Sequence, residues 1–370
     1  MQTVTKKTDP TRGSPANPSS NRIASLDGLR ALSIWAVMLG HASANFTDSP
    51  LHAHAVRLLF SLVALPNLGV TVFFVISGFL ITTLLLRDRS RSGRVHLGRF
   101  YSRRALRILP AFGVYFVTVL LLGHPSWIQC LYALTFTSSY FFQSAYGPLQ
   151  HLWTLSVEEQ FYLIWPLVCA LAPRSAKRCC WAILLLAPVF RGAIRFTGSY
   201  EYGHYFPCVA DAIAAGCLLA LYREEAGAFV RKHFLSRGKY LALWLGTLFI
   251  CFVAFKLDFF ALWGLAFCAI ALTICAAIEN RGRFLNSRPL VWTGLLSYSL
   301  YLWQQPMLTL PGPAHNIPAR LVATFALAYL SYRFIEQPVL NFGSRKNKPS
   351  VSARPAEAPK EEQPDPAVVS

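Results

Sequence analysis

An arginine and a histidine lie eleven residues apart in the first apolar stretch of the chain, at Arg30 and His41. Because an α-helix rises about 1.5 Å and turns about 100° per residue, a helix here brings both side chains to nearly the same face, roughly 16 Å apart. With Arg30 at a membrane surface, His41 lies near the bilayer midplane, where a titratable ring is costly unless it is paired or used. The pair therefore predicts that one face of this helix has a function. The alternatives are a flanking charge at Arg30 and a hydrogen-bonded structural histidine at His41.

A carboxylate stands at the start of another apolar stretch, at Glu158. Ser156 and Glu159 have the spacing of a helix capping box, which predicts a structural role for Glu159 and leaves Glu158 without one. In a helix, Glu158 shares a face with Tyr162, and a carboxylate that enters a membrane segment is expected to face the protein interior or a wet cavity. The pattern fits acid–base chemistry, and a buried ion pair between Glu158 and an arginine remains the alternative.

Eight arginines crowd into residues 87–107. Arg99, Arg103 and Arg107 recur every four residues, so a helix would stack them on one face. The planar guanidinium group is suited to bidentate contact with phosphate, which makes Arg103, Arg104 and Arg107 candidates for a phosphate-bearing ligand. The alternative is a loop that sets membrane orientation by lying on anionic lipid headgroups.

Two further polar positions in apolar stretches are weaker candidates. Ser77 precedes Gly78, and small residues of this kind permit close helix packing, a role that we favour over chemistry. Ser77 is kept with Tyr162 as a candidate substrate-binding residue. Asp211 is an acid with no partner that the sequence identifies.

The composition is that of a membrane protein. Of the 370 residues, 54% are hydrophobic and 14% are charged, whereas soluble domains carry about 25% charged residues. The net charge of +18 is expected to report membrane orientation, and with no recognisable nucleic-acid-binding module we expect no nucleic-acid partner. The nine cysteines form no C-x-x-C pair, so we expect no metal site.

The apolar stretches predict an all-α, multi-pass membrane protein with about ten spans, at residues 31–47, 63–86, 108–123, 153–173, 179–193, 206–222, 240–256, 259–278, 290–308 and 319–335. Ten spans place all but five of the 35 Lys and Arg residues on the side that holds both termini. Because cytoplasmic loops are rich in Lys and Arg, we expect both termini in the cytoplasm and the protein in the inner (cytoplasmic) membrane.

The distribution of Lys and Arg residues between the two sides also decides how the apolar stretch 127–143 is interpreted. A full span there would carry the basic residues at 174–178 to the outside, so we expect a re-entrant or interfacial helix. Residues 1–22 and 343–370 are polar or rich in Pro, Ala, Lys and Glu and are predicted to be disordered tails. They flank a membrane domain at 23–342.

Six segments, in this order, resemble the acyltransferase 3 family of integral membrane acyltransferases, over roughly residues 22–342. They are Ser-Leu-Asp-Gly-Leu-Arg30 with His41, Phe-Phe-Val-Ile-Ser77-Gly-Phe-Leu-Ile-Thr, Arg103-Arg104-x-x-Arg107-Ile-x-Pro110, Trp-Thr-Leu-Ser-Val-Glu158-Glu-Gln-Phe-Tyr162, Ser297-Tyr-Ser-Leu-Tyr-Leu-Trp303 and Phe-Ile-Glu336-Gln-Pro338. Two positions depart from the family pattern. Gln304 stands where the family often has His, and Gln337 stands where it often has Arg.

The resemblance implies O-acylation, usually acetylation, of a carbohydrate or another hydroxyl-bearing acceptor. Cytoplasmic acyl-CoA is the implied donor substrate, with no tightly bound cofactor. Many members carry an extra hydrolase-like domain outside the membrane. None is visible in this sequence, so we expect a stand-alone enzyme.

Residues and resemblance together suggest a mechanism. Arg30, Arg103, Arg104 and Arg107 would hold the phosphates of CoA, and the thioester would reach His41. That ring would act as general base or as a transiently acylated nucleophile, with Glu158 orienting it or taking up its proton. Three alternatives remain: acylation of a small natural product such as a macrolide, a transporter of lipid-linked sugars whose path is lined by the polar stripe, and a non-catalytic sugar-binding relative.

Overall fold

The computed structural model describes residues 22–44, 65–141, 147–198, 203–257, 260–280, 282–309 and 317–346. All regular secondary structure in these residues is helical, which confirms the predicted all-α class there. The α-helices are α1 Ala24–Ala44, α2 Leu65–Ser92, α3 Leu97–Leu122, α4 Trp127–Leu134, α5 Trp153–Leu171, α6 Ala176–Phe196, α7 Phe206–Leu221, α8 Arg223–His233, α9 Arg237–Lys256, α10 Trp263–Asn280, α11 Arg288–Thr309, α12 Ile317–Ser331 and α13 Gln337–Lys346.

The protein is a multi-pass membrane protein. Each of the ten predicted spans coincides with a helix, and five stretches of the described chain are long and apolar enough to cross a bilayer: Pro66–Ser92, Leu97–Leu122, Pro173–Phe196, Arg237–Phe255 and Phe260–Asn280. A sixth arises if α7 and α8, which bend by 84° at their junction, form one broken span. Ten spans and cytoplasmic termini therefore stay predictions.

In the described part of the stretch 127–143, residues 127–141, the helical elements are the eight-residue helix α4 and a 3-10 turn at Ser138–Tyr140. Eight residues rise about 12 Å, which is too short to cross a bilayer core of about 30 Å. The helix begins with a capping box in which Ser126 and Gln129 exchange side-chain to backbone hydrogen bonds.

Helices α2 and α7 pack closely because glycines let their backbones meet. A methyl group at Gly78 would lie 2.0 Å from the carbonyl oxygen of Ile213, and one at Gly216 would lie 1.9 Å from that of Val75. Both distances are far below van der Waals contact, so only glycine fits. This agrees with the packing role expected of Gly78.

Helix α1 lies between the two halves of the core. It packs along α11 on one side and α2 on the other. One buried cluster joins α2, α5, α7 and α10, and the other joins the second half of α1 with α3, α11 and α12. A polar residue on α1 therefore has protein on several sides, which is how a charged or titratable group is accommodated in a membrane domain.

The C-terminal boundary extends past the prediction. Helix α13 follows a π-helical turn at Tyr332–Glu336 and continues to Lys346, so residues 343–346 are helical rather than part of a disordered tail. The predicted tails at 1–21 and 347–370 lie outside the described residues.

Candidate active site

His41 lies in the last turn of α1 and contacts α11. Its Nδ1 is 2.7 Å from Oε1 of Gln304, which is fully buried. An amide oxygen only accepts hydrogen bonds, so Nδ1 carries the ring proton and Nε2 keeps its lone pair. The arrangement is that of a general base or nucleophile whose tautomer is set by a neighbour. Gln304, at a position where the sequence departs from the family pattern, holds the histidine.

Glu158 lies elsewhere, in a polar cluster between α2, α3 and α5. Its Oε1 accepts a hydrogen bond of 2.7 Å from Ser77, and Ser77 also bonds to the hydroxyl of Tyr162. Glu158 Oε2 is 3.5 Å from Nη2 of Arg104. The sequence suggested that Glu158 orients His41. In the structure, Gln304 makes that contact. Glu158 is therefore paired with an arginine, as in the alternative of a buried ion pair.

Glu159 shares the same arginine, and the predicted capping box is wrong. Nη2 of Arg104 is 3.4 Å from Glu159 Oε1, and its guanidinium lies 3.7 Å from the centre of the Tyr162 ring. Helix α5 begins at Trp153, and Ser156 donates to the carbonyl of Leu152. The preceding 3-10 turn at Gln150–Leu152 moves the helix start upstream, so Ser156 bonds back along the helix as buried serines do.

The predicted donor-binding arginines divide into two groups. Arg107 lies within electrostatic range of Arg30, Arg104 and Glu336. Arg107 is itself exposed. Arg103 is exposed and donates to the carbonyl of Arg99 at 3.3 Å, and no contact described for it joins it to that group.

Arg30 is tied to the start of its own helix through Asp27. Its Nη1 is 4.0 Å from Asp27 Oδ1, and Nε of Arg22 is 2.6 Å from Asp27 Oδ2. Arg22 lines a cavity of about 690 Å³ that also receives Arg87 and Arg223. The cavity lies where α1 begins and α2, α7 and α10 end. We call this the arginine end of the bundle.

A second histidine near His41 was not singled out from the sequence. His151 is buried and lies within electrostatic range of His41. Its ring packs 5.6 Å from that of Tyr115 and 5.1 Å from that of Tyr301. The sequence feature that could have identified His151 is its position two residues before the Trp-Thr-Leu-Ser-Val-Glu segment. In the described ranges, no group of three or more His, Cys, Asp or Glu side chains could hold a metal ion.

Comparison with known proteins bears on this geometry. Residues 23–333 match the model of an acyltransferase domain, that of the acyltransferase 3 family. The chain is 30% identical over 369 residues to the peptidoglycan O-acetyltransferase OatA of Listeria monocytogenes, which covers 88% of the chain and 57% of that relative. It is 29% identical to the putative peptidoglycan O-acetyltransferase YrhL of Bacillus subtilis (87% and 56%) and 28% identical to the O-acetyltransferase OatA of Staphylococcus aureus (88% and 58%). The chain thus spans a little over half of each relative. No solved structure gives a significant match.

Proposed function

The chain belongs to the acyltransferase 3 family, and from this membership we propose that it is a membrane-embedded O-acetyltransferase. It moves an acetyl group from cytoplasmic acyl-CoA to a hydroxyl of a cell-surface or exported carbohydrate, and it resides in the inner (cytoplasmic) membrane. The observation that carries the proposal is the His41–Gln304 contact, which leaves a ring nitrogen free to react. The relatives named as peptidoglycan O-acetyltransferases support a carbohydrate acceptor.

In the proposed reaction His41 acts on the acceptor hydroxyl. Nε2 takes the hydroxyl proton while the hydroxyl oxygen attacks the thioester carbonyl carbon. The carbon–sulfur bond breaks, and the CoA sulfur leaves as a thiol with the proton returned by the imidazolium. In the second course Nε2 itself attacks the thioester carbonyl carbon, the carbon–sulfur bond breaks, and CoA leaves as a thiolate. The acceptor hydroxyl oxygen then attacks the acetyl carbon, the carbon–nitrogen bond breaks, and the hydroxyl proton passes to the CoA thiolate. Gln304 supports both courses because it keeps Nδ1 protonated.

The arginine end is proposed to hold the donor. A cavity of about 690 Å³ lies in the usual range of small-molecule sites, about 300–1,000 Å³. Arg87 has no carboxylate partner in the described part of the chain, and guanidinium groups match phosphate geometry. Arg22 bonds to Asp27, which is paired with Arg30. The cavity thus adjoins the start of α1, the helix that carries His41.

The remaining predicted residues receive positioning roles in this proposal. Glu158, Ser77 and Tyr162 hold Arg104, which lies within electrostatic range of Arg107. Glu158 remains a proposed proton acceptor. Arg103 would contact the donor only at the rim, because its side chain is exposed.

Turnover of labelled acetyl-CoA in membranes tests the proposal. In His41→Ala, transfer should fall about 10²–10⁴-fold, the range of general acid–base catalysis. Protein level and the KM for acetyl-CoA should not change. His233→Ala, at an exposed position on α8, is the matched control. Label in the glycan, lipid or small-molecule extract identifies the acceptor class, and full activity of His41→Ala would exclude the mechanism.

A further inference from the structure

A second cavity, of about 200 Å³, lies at the opposite end of the helices that form the arginine end. Here α2, α5, α7 and α10 begin and α9 ends. Its wall includes Trp153, Trp263 and Phe255, with His204 and Asn67 beside them. We call this the aromatic end of the bundle.

The two tryptophans are held in fixed orientations. Trp153 meets the ring of His204 edge to face at 4.7 Å. Trp263 meets Phe255 edge to face at 5.6 Å, and its Nε1 donates to the carbonyl of Ala254 at 3.0 Å. Rings that need no reordering lose little entropy when a ligand stacks on them.

A buried ion pair supports Trp263. The guanidinium of Arg191 lies 4.8 Å from the ring centre, and its Nη2 bonds to Asp211 at 2.8 Å, with both side chains fully buried. This pair gives Asp211 the partner that the sequence did not identify. It also fixes a cation beside the ring, where it is attracted to the π-system.

The chemistry of the lining selects a neutral ligand with an apolar face and several hydroxyl groups. Among the residues that the structure describes, those that line the cavity include no Lys, Arg, Asp or Glu. They combine aromatic faces with hydrogen-bonding groups of Asn67, Thr71 and His204. The C–H face of a pyranose ring stacks on aromatic rings while its hydroxyl groups bond at the edge. Its volume, about 200 Å³, lies below the usual range of about 300–1,000 Å³ for small-molecule sites, which suits a single sugar ring and not a macrolide.

Two walls of the cavity continue along the chain toward the surroundings of His41. Gly40 lies so close to Pro66 that a methyl group at Gly40 would be 2.0 Å from the proline ring, and Asn67 is the next residue along α2. On the other side, His151 lies within electrostatic range of His41 and is two residues from Trp153. The wall therefore continues through Pro66 and His151 toward the C-terminal end of α1, where His41 lies.

We propose that the aromatic end binds one pyranose ring of the acceptor glycan and directs a hydroxyl toward His41. The proposal rests on the function proposed above, and it adds an acceptor site that is separate from the donor site. Trp153 and Trp263 stack on the ring, and Asn67 and His204 bond to its hydroxyl groups.

Gly203 offers a way to fill the cavity without disturbing the core. A methyl group there would lie 3.9 Å from Cη2 of Trp263, an ordinary contact. Gly203→Leu should therefore extend over the Trp263 ring and exclude a sugar. Trp153→Phe is the second variant, because it keeps an aromatic ring and reduces the stacking area. Trp181→Phe is the control, since Trp181 is 47% exposed on α6.

The experiment measures binding and transfer separately on the purified protein in nanodiscs. Calorimetric titration with a soluble N-acetylglucosamine tetrasaccharide, without acyl-CoA, should show binding by the wild type and by Trp181→Phe. Affinity should fall at least tenfold in Gly203→Leu and about fivefold in Trp153→Phe. In transfer assays, the acceptor KM of Gly203→Leu should rise to the same extent, with the acetyl-CoA KM within twofold of wild type.

Two results would overturn the acceptor site: no heat of binding with the wild type, or equal affinity in the wild type and Gly203→Leu. Failure of the proposed function gives a different result. In that case the wild type binds the tetrasaccharide and Gly203→Leu does not, but no label passes from acetyl-CoA to any acceptor.

Discussion

The arginine end and the aromatic end are built on the same three helices, α2, α7 and α10, yet they differ in charge and size. The arginine end encloses about 690 Å³ and receives Arg22, Arg87 and Arg223. The aromatic end encloses about 200 Å³ among aromatic and neutral polar side chains. A large basic site suits a phosphorylated ligand, and a small uncharged site suits a sugar ring. Under the proposed function, the two substrates therefore enter from opposite ends.

The contact between the ends explains why they stay separate. Gly78 and Gly216 bring the backbones of α2 and α7 together midway along the bundle. Close packing there lies between the cavity lined by Phe79 and the cavity lined by Phe74.

A larger side chain at the glycine contact should disrupt both ends together. Gly216→Val places methyl groups against the backbone of Val75, and overpacking of this kind costs about 1–3 kcal/mol. We expect a lower unfolding temperature and loss of both acetyl-CoA binding and sugar binding. Thermal unfolding in nanodiscs measures the first effect. Gly246→Val is the control, because nothing lies within 4 Å of a methyl group at Gly246. Equal stability of the two variants would show that the contact can relax.

Removing one charge should weaken the arginine end and leave the aromatic end intact. A hydrogen bond to a charged group contributes about 1.5–3 kcal/mol, so Arg87→Gln should raise the KM for acetyl-CoA about tenfold or more. The acceptor KM should not change, and the defect should be smaller at high salt, where the wild-type interaction is itself screened. Steady-state kinetics at two ionic strengths measure this. Arg91→Gln, at an exposed position on α2, is the matched variant, and an equal effect there would indicate general surface charge.

The smallest effect should come from Gln304, the residue that contacts His41. Gln304→Leu removes the acceptor of the Nδ1 proton, and a neutral hydrogen bond contributes about 0.5–1.5 kcal/mol. We expect kcat to fall about threefold to tenfold, with both KM values unchanged. Gln304→Glu retains an acceptor oxygen and should recover part of the rate. A change in either KM would mean that Gln304 contacts a substrate and does not act through His41.

Much of the architecture was predictable because helix formation depends on neighbours in the chain. Every predicted span coincides with a helix, and Arg30 and His41 lie on one helix as their spacing required. The errors were also local. The capping box at Ser156 failed because α5 starts three residues earlier, and α13 continues past the expected boundary.

By itself, the sequence determined the helices, the apolar membrane character and the residues with the chemistry for acyl transfer, because periodicity and composition act over a few residues. Only the tertiary structure decided their partners. His41 meets Gln304 from 263 positions away, Glu158 meets Ser77 and Arg104, and Asp211 meets Arg191. These pairs depend on which faces of distant helices pack together, and close glycine contacts and volume complementarity set that choice. The two cavities have the same origin, since each is the space left where several helix ends meet.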